Sequence, residues 1–505
     1  MKKIAYFVSM LLLIGIIIVA CKKDDDSTPP GADHTVTGFT PPSGSVGTTV
    51  TVKGTEFTNQ NIQVKFGVTL ATVSGVHVNG TELYTSVPEG AETGKISVTI
   101  DGVEVKSTSN FTVTEEVSGP EAIELAETSL EMHTLDTAKF PEITNLDEFE
   151  NPTISYESDN TEVIYVDAEG NLIALQAGSA NITASIGNLN ASIEVDVESS
   201  IFVGGYIEKN NGEYGVSTVW KNGVAHELSD TNSYATYIAV EGPNLYATHV
   251  EYSLDDTRPI KVYKNNTLYG TVGNVDENNR APKAMQVVGD DVYICGFEKT
   301  DGTQYAKYWT NSTETVLSAE GNPAVAHGLF LSNDKLYVAG KEDIDTDIAK
   351  YWINGNPAEL ANTNSVAYDI YVNDIGEIYT AGEKGNIATI WKNTEILHQF
   401  EEGNNSNQAN SISVHNDNVF ATGVDWTTQM GKLWINGQLA YEWPGHGSAL
   451  TVYNGSIYVA GWKYDAILET NTAVVLEISS EGELIEEKFL SSISGSTYAN
   501  SIVVK

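Results

Sequence analysis

A chain of 505 residues is too long for one hydrophobic core and is expected to divide into several domains. Its 68 acidic against 27 basic residues give a formal net charge of −41. That field repels phosphate backbones and no basic stripe interrupts it, which excludes nucleic acid as a partner. Hydrophobic residues at 41% and aromatic residues at 9% suffice for packed cores, so the acidity is a solvated surface and not a mark of disorder.

The chain begins with a targeting pattern. Lys2 and Lys3 precede an apolar run from Ile4 to Ala20, at the short limit for a membrane-spanning helix, and a small residue stands before Cys21. This describes a secretory signal peptide over residues 1–20. The stretch Ile18-Val19-Ala20-Cys21 resembles the lipobox of bacterial lipoproteins. The resemblance implies that Cys21 is lipidated and anchors the mature chain to a membrane, several acyl chains making that anchoring stable. Residues 21–34 carry Lys22-Lys23-Asp24-Asp25-Asp26 and then Pro and Gly, a composition that buries no core and reads as a flexible acidic tether. The acidic cluster resembles the export signal of lipoproteins displayed on the outer surface of the outer membrane; the alternative is its periplasmic face. The other cysteine, Cys295, lies in a strand-like burst and has no pairing partner if Cys21 is acylated, so no disulfide framework is expected.

Residues 35–115 alternate strand-like runs with Gly and Pro punctuation. The segments Val36–Gly47, Val50–Phe57, Val64–Gly67 and Val87–Ala91 resemble the IPT/TIG immunoglobulin-like family, which implies a β-sandwich acting as spacer or interaction module. Residues 120–198 form a second module of similar size. Its later half, from Ile154 to Asn160, Val166 to Leu172 and Gly178 to Thr183, resembles bacterial Ig-like domains of group 2, while the part bearing His133 and Phe140-Pro141 departs from that pattern. Both modules read as a stalk.

Residues 200–505 repeat. Bursts of β-branched and aromatic residues ending in small ones start at Ile201, Leu245, Val292, Leu336, Ile378, Val419 and Ile457. Strand-like repeats of this period mean four-stranded sheets arranged in a ring. Asn222-Gly223, Asn354-Gly355 and Asn436-Gly437 are two-residue hairpin signals between the later strands. The first copy enters at a second strand and the chain ends on a first strand, Ala499–Val504. The expected fold is therefore all-β: two Ig-like sandwiches, then a seven-bladed β-propeller sealed by its C-terminal strand. A recurrent Trp in the third strand (Trp220, Trp309, Trp352, Trp391, Trp434) is expected to pack between blades, with Tyr263 and Leu476 replacing it in two copies. The repeats match no known propeller signature and resemble uncharacterised secreted propellers.

Two sets of residues stand out from the repeat. Trp426, Trp443 and Trp462 fall where loops of the sixth and seventh blades are expected, with His446 beside them. Exposed indoles suit stacking on sugar rings or apolar side chains. The second set is the second position of each first strand: Thr236, Lys283, His327, Tyr368, Asn410, Ser448 and Asn500. Varied residues at one repeated position suit a ring of ligand contacts, and they equally suit tolerated exposure. Enzyme fingerprints such as Gly-x-Ser-x-Gly, His-Glu-x-x-His and phosphate-binding loops are missing. No cofactor is implied. Asp343–Asp347 opens like a calcium loop but has Ile348 and Asn354 where Gly and Glu are required, which leaves at most a loose Ca²⁺ contact.

These features point to a lipid-anchored cell-surface protein whose propeller binds a glycan without catalysis. The alternatives are a carbohydrate-active enzyme using carboxylates such as Asp369 or Asp465 at the channel mouth, and an adhesin or complex subunit whose partner is another surface protein.

Overall fold

The structure is a computed structural model that describes residues 34–57, 61–115, 119–209, 214–234, 236–252, 258–272, 279–400, 406–465, 469–490 and 495–505. The expected signal segment, Cys21 and nearly all of the tether lie outside the described residues. The chain separates into two compact units, 1–119 and 120–505.

The first unit is a two-sheet sandwich. One sheet runs Thr35–Thr40, Thr49–Thr55, Glu82–Ser86, Val73–Val76; the other runs Ser43–Gly44, Val103–Val113, Gly94–Ile100, Ile62–Phe66, Thr69–Ala71. Val50 and Val52 alternate inward with period two and meet Val64, Phe66, Ile96, Val98 and Phe111 in one core.

The second unit opens with another sandwich. Its four-stranded sheet (Ser129–His133, Leu189–Glu198, Gly178–Ile186, Ile154–Ser158) and three-stranded sheet (Thr137–Lys139, Asn171–Ala174, Ile164–Val166) enclose Ile164, Leu172, Ile182, Ile193 and Val195. A dry polar joint holds this sandwich to the ring that follows. Fully buried Thr134 donates from Oγ1 to the carbonyl of Lys505 (2.7 Å), and fully buried Ser200 donates from Oγ to the carbonyl of Thr134 (3.0 Å). Lys221 Nζ adds an ion pair to Asp136 (2.6 Å). Buried polar groups satisfied on both sides hold one geometry, since any shift leaves them unpaired.

The ring has seven blades of four strands, counted inside out. Blade 1 joins the C-terminal strand Thr497–Val504 to Ile201–Lys209, Tyr214–Lys221 and Val224–Glu227, with Ile201 opposite Val504 and Tyr206 opposite Tyr498. This closure removes the open sheet edge that an incomplete array would expose. Blade 2 spans 233–272, blade 3 279–316, blade 4 324–359 and blade 5 365–399. Blades 6 and 7 form one seven-stranded sheet. The strand Gln438–Tyr453 runs unbroken from the outer edge of blade 6, where Trp443 faces Gly431, to the inner edge of blade 7, where His446 faces Trp462.

Three local devices repeat. In blades 1 to 6 an Asn at the turn after the third strand (Asn222, Asn265, Asn311, Asn354, Asn393, Asn436) adopts positive φ and accepts from the backbone N–H that starts the second strand. The carboxamide tolerates the left-handed conformation while filling a bond the ladder lacks. In six blades, a bulge in the inner strand stands opposite the glycine that ends each burst. A Cβ at Gly205, Gly296, Gly340, Gly382, Gly423 or Gly461 would stand 1.9–2.2 Å from an inner-strand carbonyl oxygen, so glycine and bulge are one device. Blade 2 has the fully buried His249 in the glycine's place, and there the inner strand parts into Ser233–Tyr234 and Ile238–Glu241.

The third device is the interblade core. Seven apolar clusters each join two neighbouring blades, and Trp220, Trp309, Trp352, Trp391 and Trp434 are 0–1% exposed within them. Trp443 corrects one expectation. It lies on a strand and not on a loop, is 1% exposed, and fills the space between blades 6 and 7. That cluster contains Leu476, the smaller residue at the repeat's tryptophan position, so Trp443 supplies the missing volume from the facing blade. Deleting a buried indole of this kind costs about 3–5 kcal/mol.

Candidate functional site at the channel mouth

The bulges build the site. Six residues are squeezed out of register by them: Lys283, His327, Tyr368, Asn410, Ser448 and Asn500. A bulge leaves its extra residue unpaired and re-aims the side chain. All six line a cavity of about 700 Å³ to which every blade contributes, the central channel. The varied repeat position is therefore a ring of channel residues, with fully buried Thr236 at the corresponding place in blade 2.

The next residue along locks the ring together. Asp369 accepts from Ser411 Oγ (2.8 Å), from the Ile412 N–H (3.0 Å) and from the Ile370 N–H (2.9 Å). Ser411 Oγ accepts in turn from the Leu450 N–H (3.2 Å), and Ser501 Oγ accepts from the Ile238 N–H (3.2 Å). These bonds bridge blades 5 to 6, 6 to 7 and 1 to 2. Burial lifts the Asp369 carboxyl to about 6 against the pull of its three donors. A carboxylate so occupied is a structural clamp, which removes Asp369 as a catalytic candidate. Asp465 ends a second strand opposite Thr470, away from the channel lining.

Above the ring, aromatic side chains form an arc across blades 6, 7, 1 and 2. Trp426 is 41% exposed and donates from Nε1 to Gln408 Oε1 (3.1 Å). Its ring lies 5.5 Å from that of His446, which stacks at 5.6 Å and 4° on Trp462. Trp462 also lies on a strand, Ser456–Asp465, and not on the expected loop. The arc continues through Tyr498 (6.1 Å from Trp462), Tyr206 (4.8 Å, stacked), Tyr234 and Tyr252, over which the Arg258 guanidinium sits at 4.1 Å. Two bonds tie arc to channel: Asn410 Nδ2 lies 3.2 Å from His446 Nε2, and Ser448 Oγ lies 3.2 Å from His446 Nδ1. Burial lowers His446 to about 4, so its imidazole is neutral at pH 7.

Blades 3 to 5 carry ions and polar pairs instead. Glu298 accepts from Arg280 (3.2 Å) and Lys307 (2.6 Å), Glu342 pairs with Lys350, and Lys341 reaches Asp347 (2.7 Å). Tyr368 donates its hydroxyl to Glu383 (3.2 Å) and meets the His327 ring edge-on at 5.2 Å. Burial raises both Tyr368 and Glu383 and lowers His327 to about 3. Asp347, the last acid of the calcium-like stretch, is thus held by a lysine, and no cluster of three metal-ligating side chains forms among the described residues.

The structure brings Trp426, His446 and Trp462 together, gathers Lys283, His327 and Tyr368 on the channel wall, and sets Trp443 apart in the core. Tyr206, Tyr234, Tyr252 and Tyr498 were missed from sequence. The signal was present: Tyr206 follows Gly205 as Trp462 follows Gly461, and Tyr498 faces Tyr206 as His446 faces Trp462.

Residues 35–114 match the IPT/TIG domain family. The IPT/TIG domain is thus the first sandwich. No curated protein matches the chain in sequence. Solved structures similar to it include the β-propeller domain of Cps50 (Swd1) from Myceliophteria thermophila, at 10% identity over 51% of this chain and 93% of that one, TM-score 0.33. A streptogramin B lyase aligns at 12% identity over 52% and 86%, TM-score 0.36. A protein of unknown function from Bacteroides caccae aligns at 10% identity over 61% and 98%, TM-score 0.34. At these identities and scores no activity or ligand carries over from them.

Proposed function

We propose that this chain is a lipid-anchored surface protein of the outer membrane, held through Cys21, whose propeller binds a glycan without transforming it. The observation that supports the binding reading is the arc from Trp426 through His446, Trp462, Tyr498, Tyr206 and Tyr234 to Tyr252, at the rim of a channel that is polar on its wall. Aromatic faces beside well-placed hydrogen-bonding groups suit sugar rings, which offer apolar C–H faces and hydroxyl edges. The sandwiches, the second of which resembles group 2 bacterial Ig-like domains, serve as a stalk.

Glycan-array screening of the purified full chain tests this reading. Binding to a defined glycan set, lost in the Trp426→Ala/Trp462→Ala double variant with an unchanged circular dichroism spectrum, is the expected result. Unaltered binding by that variant removes the arc from the site. Radiolabelled palmitate incorporation, abolished by Cys21→Ala, checks the anchor.

One observation favours an enzyme: Glu383, half-buried at the channel mouth, has its carboxyl pushed up by burial and held by Tyr368, as a general acid requires. Polysaccharide turnover that disappears in Glu383→Gln would replace the binding reading.

A further inference from the structure

The channel wall does not share the strong negative charge of the molecule. Against a net charge of −41, its wall holds one lysine, Lys283, and one carboxylate, Asp369. The carboxylate is spoken for by three donors. The lysine has no ion pair or hydrogen bond among the described residues, and burial depresses its ammonium below the ordinary lysine value. An uncompensated ammonium taken out of water is costly. Its neighbour at the same bulge position on blade 4 is also unpartnered among the described residues. His327 Nε2 is buried with no hydrogen-bond partner among the described residues. Two consecutive blades thus present to the channel, at one repeat position, a cation and a neutral polar atom that nothing among the described residues satisfies.

We propose that the central channel is a carboxylate-binding site, with Lys283 as counter-ion and His327 as the flanking hydrogen-bonding group. A carboxylate matches this set: its oxygens accept from an ammonium and an imidazole N–H together. Its source is either a uronic acid residue of a glycan or a small free organic acid. The first source rests on the glycan reading above, since Asn410 and Ser448 link the channel wall to His446 and so to the arc; the second does not.

Isothermal titration of the full chain with glucuronate, glucose and acetate tests the site. Glucuronate is expected to bind about tenfold or more tightly than glucose, the scale of one charge-assisted contact. Lys283→Gln should erase that preference and Lys283→Arg should keep most of it, each judged alongside thermal melting. Glucuronate binding as tightly as acetate, both insensitive to Trp462→Ala, supports the carboxylate site and assigns it to free acids, which defeats the glycan reading alone. Equal binding of glucuronate and glucose, with Lys283→Gln unchanged, overturns the carboxylate site and leaves the glycan reading standing. Binding of none of the three overturns the site as well.

Discussion

Blades 6, 7, 1 and 2 place Gln408, His446, Tyr498 and Tyr234 two residues before the bulge position, where blades 3, 4 and 5 place Ala281, Val325 and Val366. Across the ladder, Trp462 and Tyr206 in the first half answer to Lys341 and Glu383 in the second. The backbone is the same in both halves, held by the turn asparagine, the glycine under the bulge and the interblade core. Chemistry is therefore written at a few positions per blade while the scaffold repeats around them. One half of the mouth offers ring faces and the other offers charged groups held by partners, Lys341 by Asp347 and Glu383 by Tyr368.

The sharpest test of that division is to injure the scaffold without touching either half. Trp443→Ala should cost about 3–5 kcal/mol, because it empties a filled interblade space, read as a lower urea midpoint. Glycan binding by the remaining folded protein should be unchanged. A loss below about 1 kcal/mol would mean that Leu476 and its neighbours collapse into the space. The charged half is next. Lys350→Met strands Glu342, whose pair is 5–7% exposed, and leaving a buried charge unpaired costs about 3 kcal/mol. Blades 7 and 1 have Val474 and Thr218 at the same repeat position, so Val474→Thr should cost far less, about 1 kcal/mol.

Acid acts on the histidines and on the clamp carboxylate with opposite signs. The imidazoles of His446 and His327 have folded values of about 4 and about 3, below their ordinary 6.5. The unfolded chain therefore takes up protons first, and their contribution, full above pH 6.5, is lost as pH falls towards 4. Asp369, raised to about 6 from 3.8, acts the opposite way and adds stability as pH falls from 6. With two groups against one, the net loss from these three between pH 7 and 4 is about 4 kcal/mol. Melting temperatures across that range should fall, more steeply in Asp369→Asn and less steeply in His446→Gln. A steeper fall in His446→Gln would show that its imidazole is charged in the folded protein.

The ring, its phase and its closure were legible because they rest on local pattern: period-two bursts, Asn-Gly turns, and a first strand left over at the C-terminus. The channel position was legible too, as variation at one place in the repeat. What could not be read was whether a given tryptophan faces water. Trp443, Trp426 and Trp462 look alike in sequence, and loop and strand differ there only because Gln438–Tyr453 continues through Pro444, whose exposed ring sits where two blades share one strand. Nor could spacing show that Asp369 spends its oxygens on the neighbouring blade. Both facts are set by contacts between repeats, and a repeat read by itself contains neither.

The smallest expected stability effects fall on the arc, and they carry the most information. Trp462 stacks on His446 and meets Tyr498 edge-on while remaining partly exposed. Its replacement by Ala forfeits one or two aromatic pairs, about 1 kcal/mol, and leaves a gap open to water, which adds no dry cavity. Trp426→Ala, at 41% exposure, should cost about 0.5 kcal/mol or less. If these rings serve a ligand, affinity should nevertheless fall about tenfold for either change. A core role predicts the reverse order, with stability lost and affinity kept, as for Trp443. Measuring both quantities on the three variants places each indole on one side of the line between scaffold and site. Should Trp462→Ala destabilise as much as Trp443→Ala, the arc is an extension of the interblade core and the binding surface must lie deeper, on the channel wall.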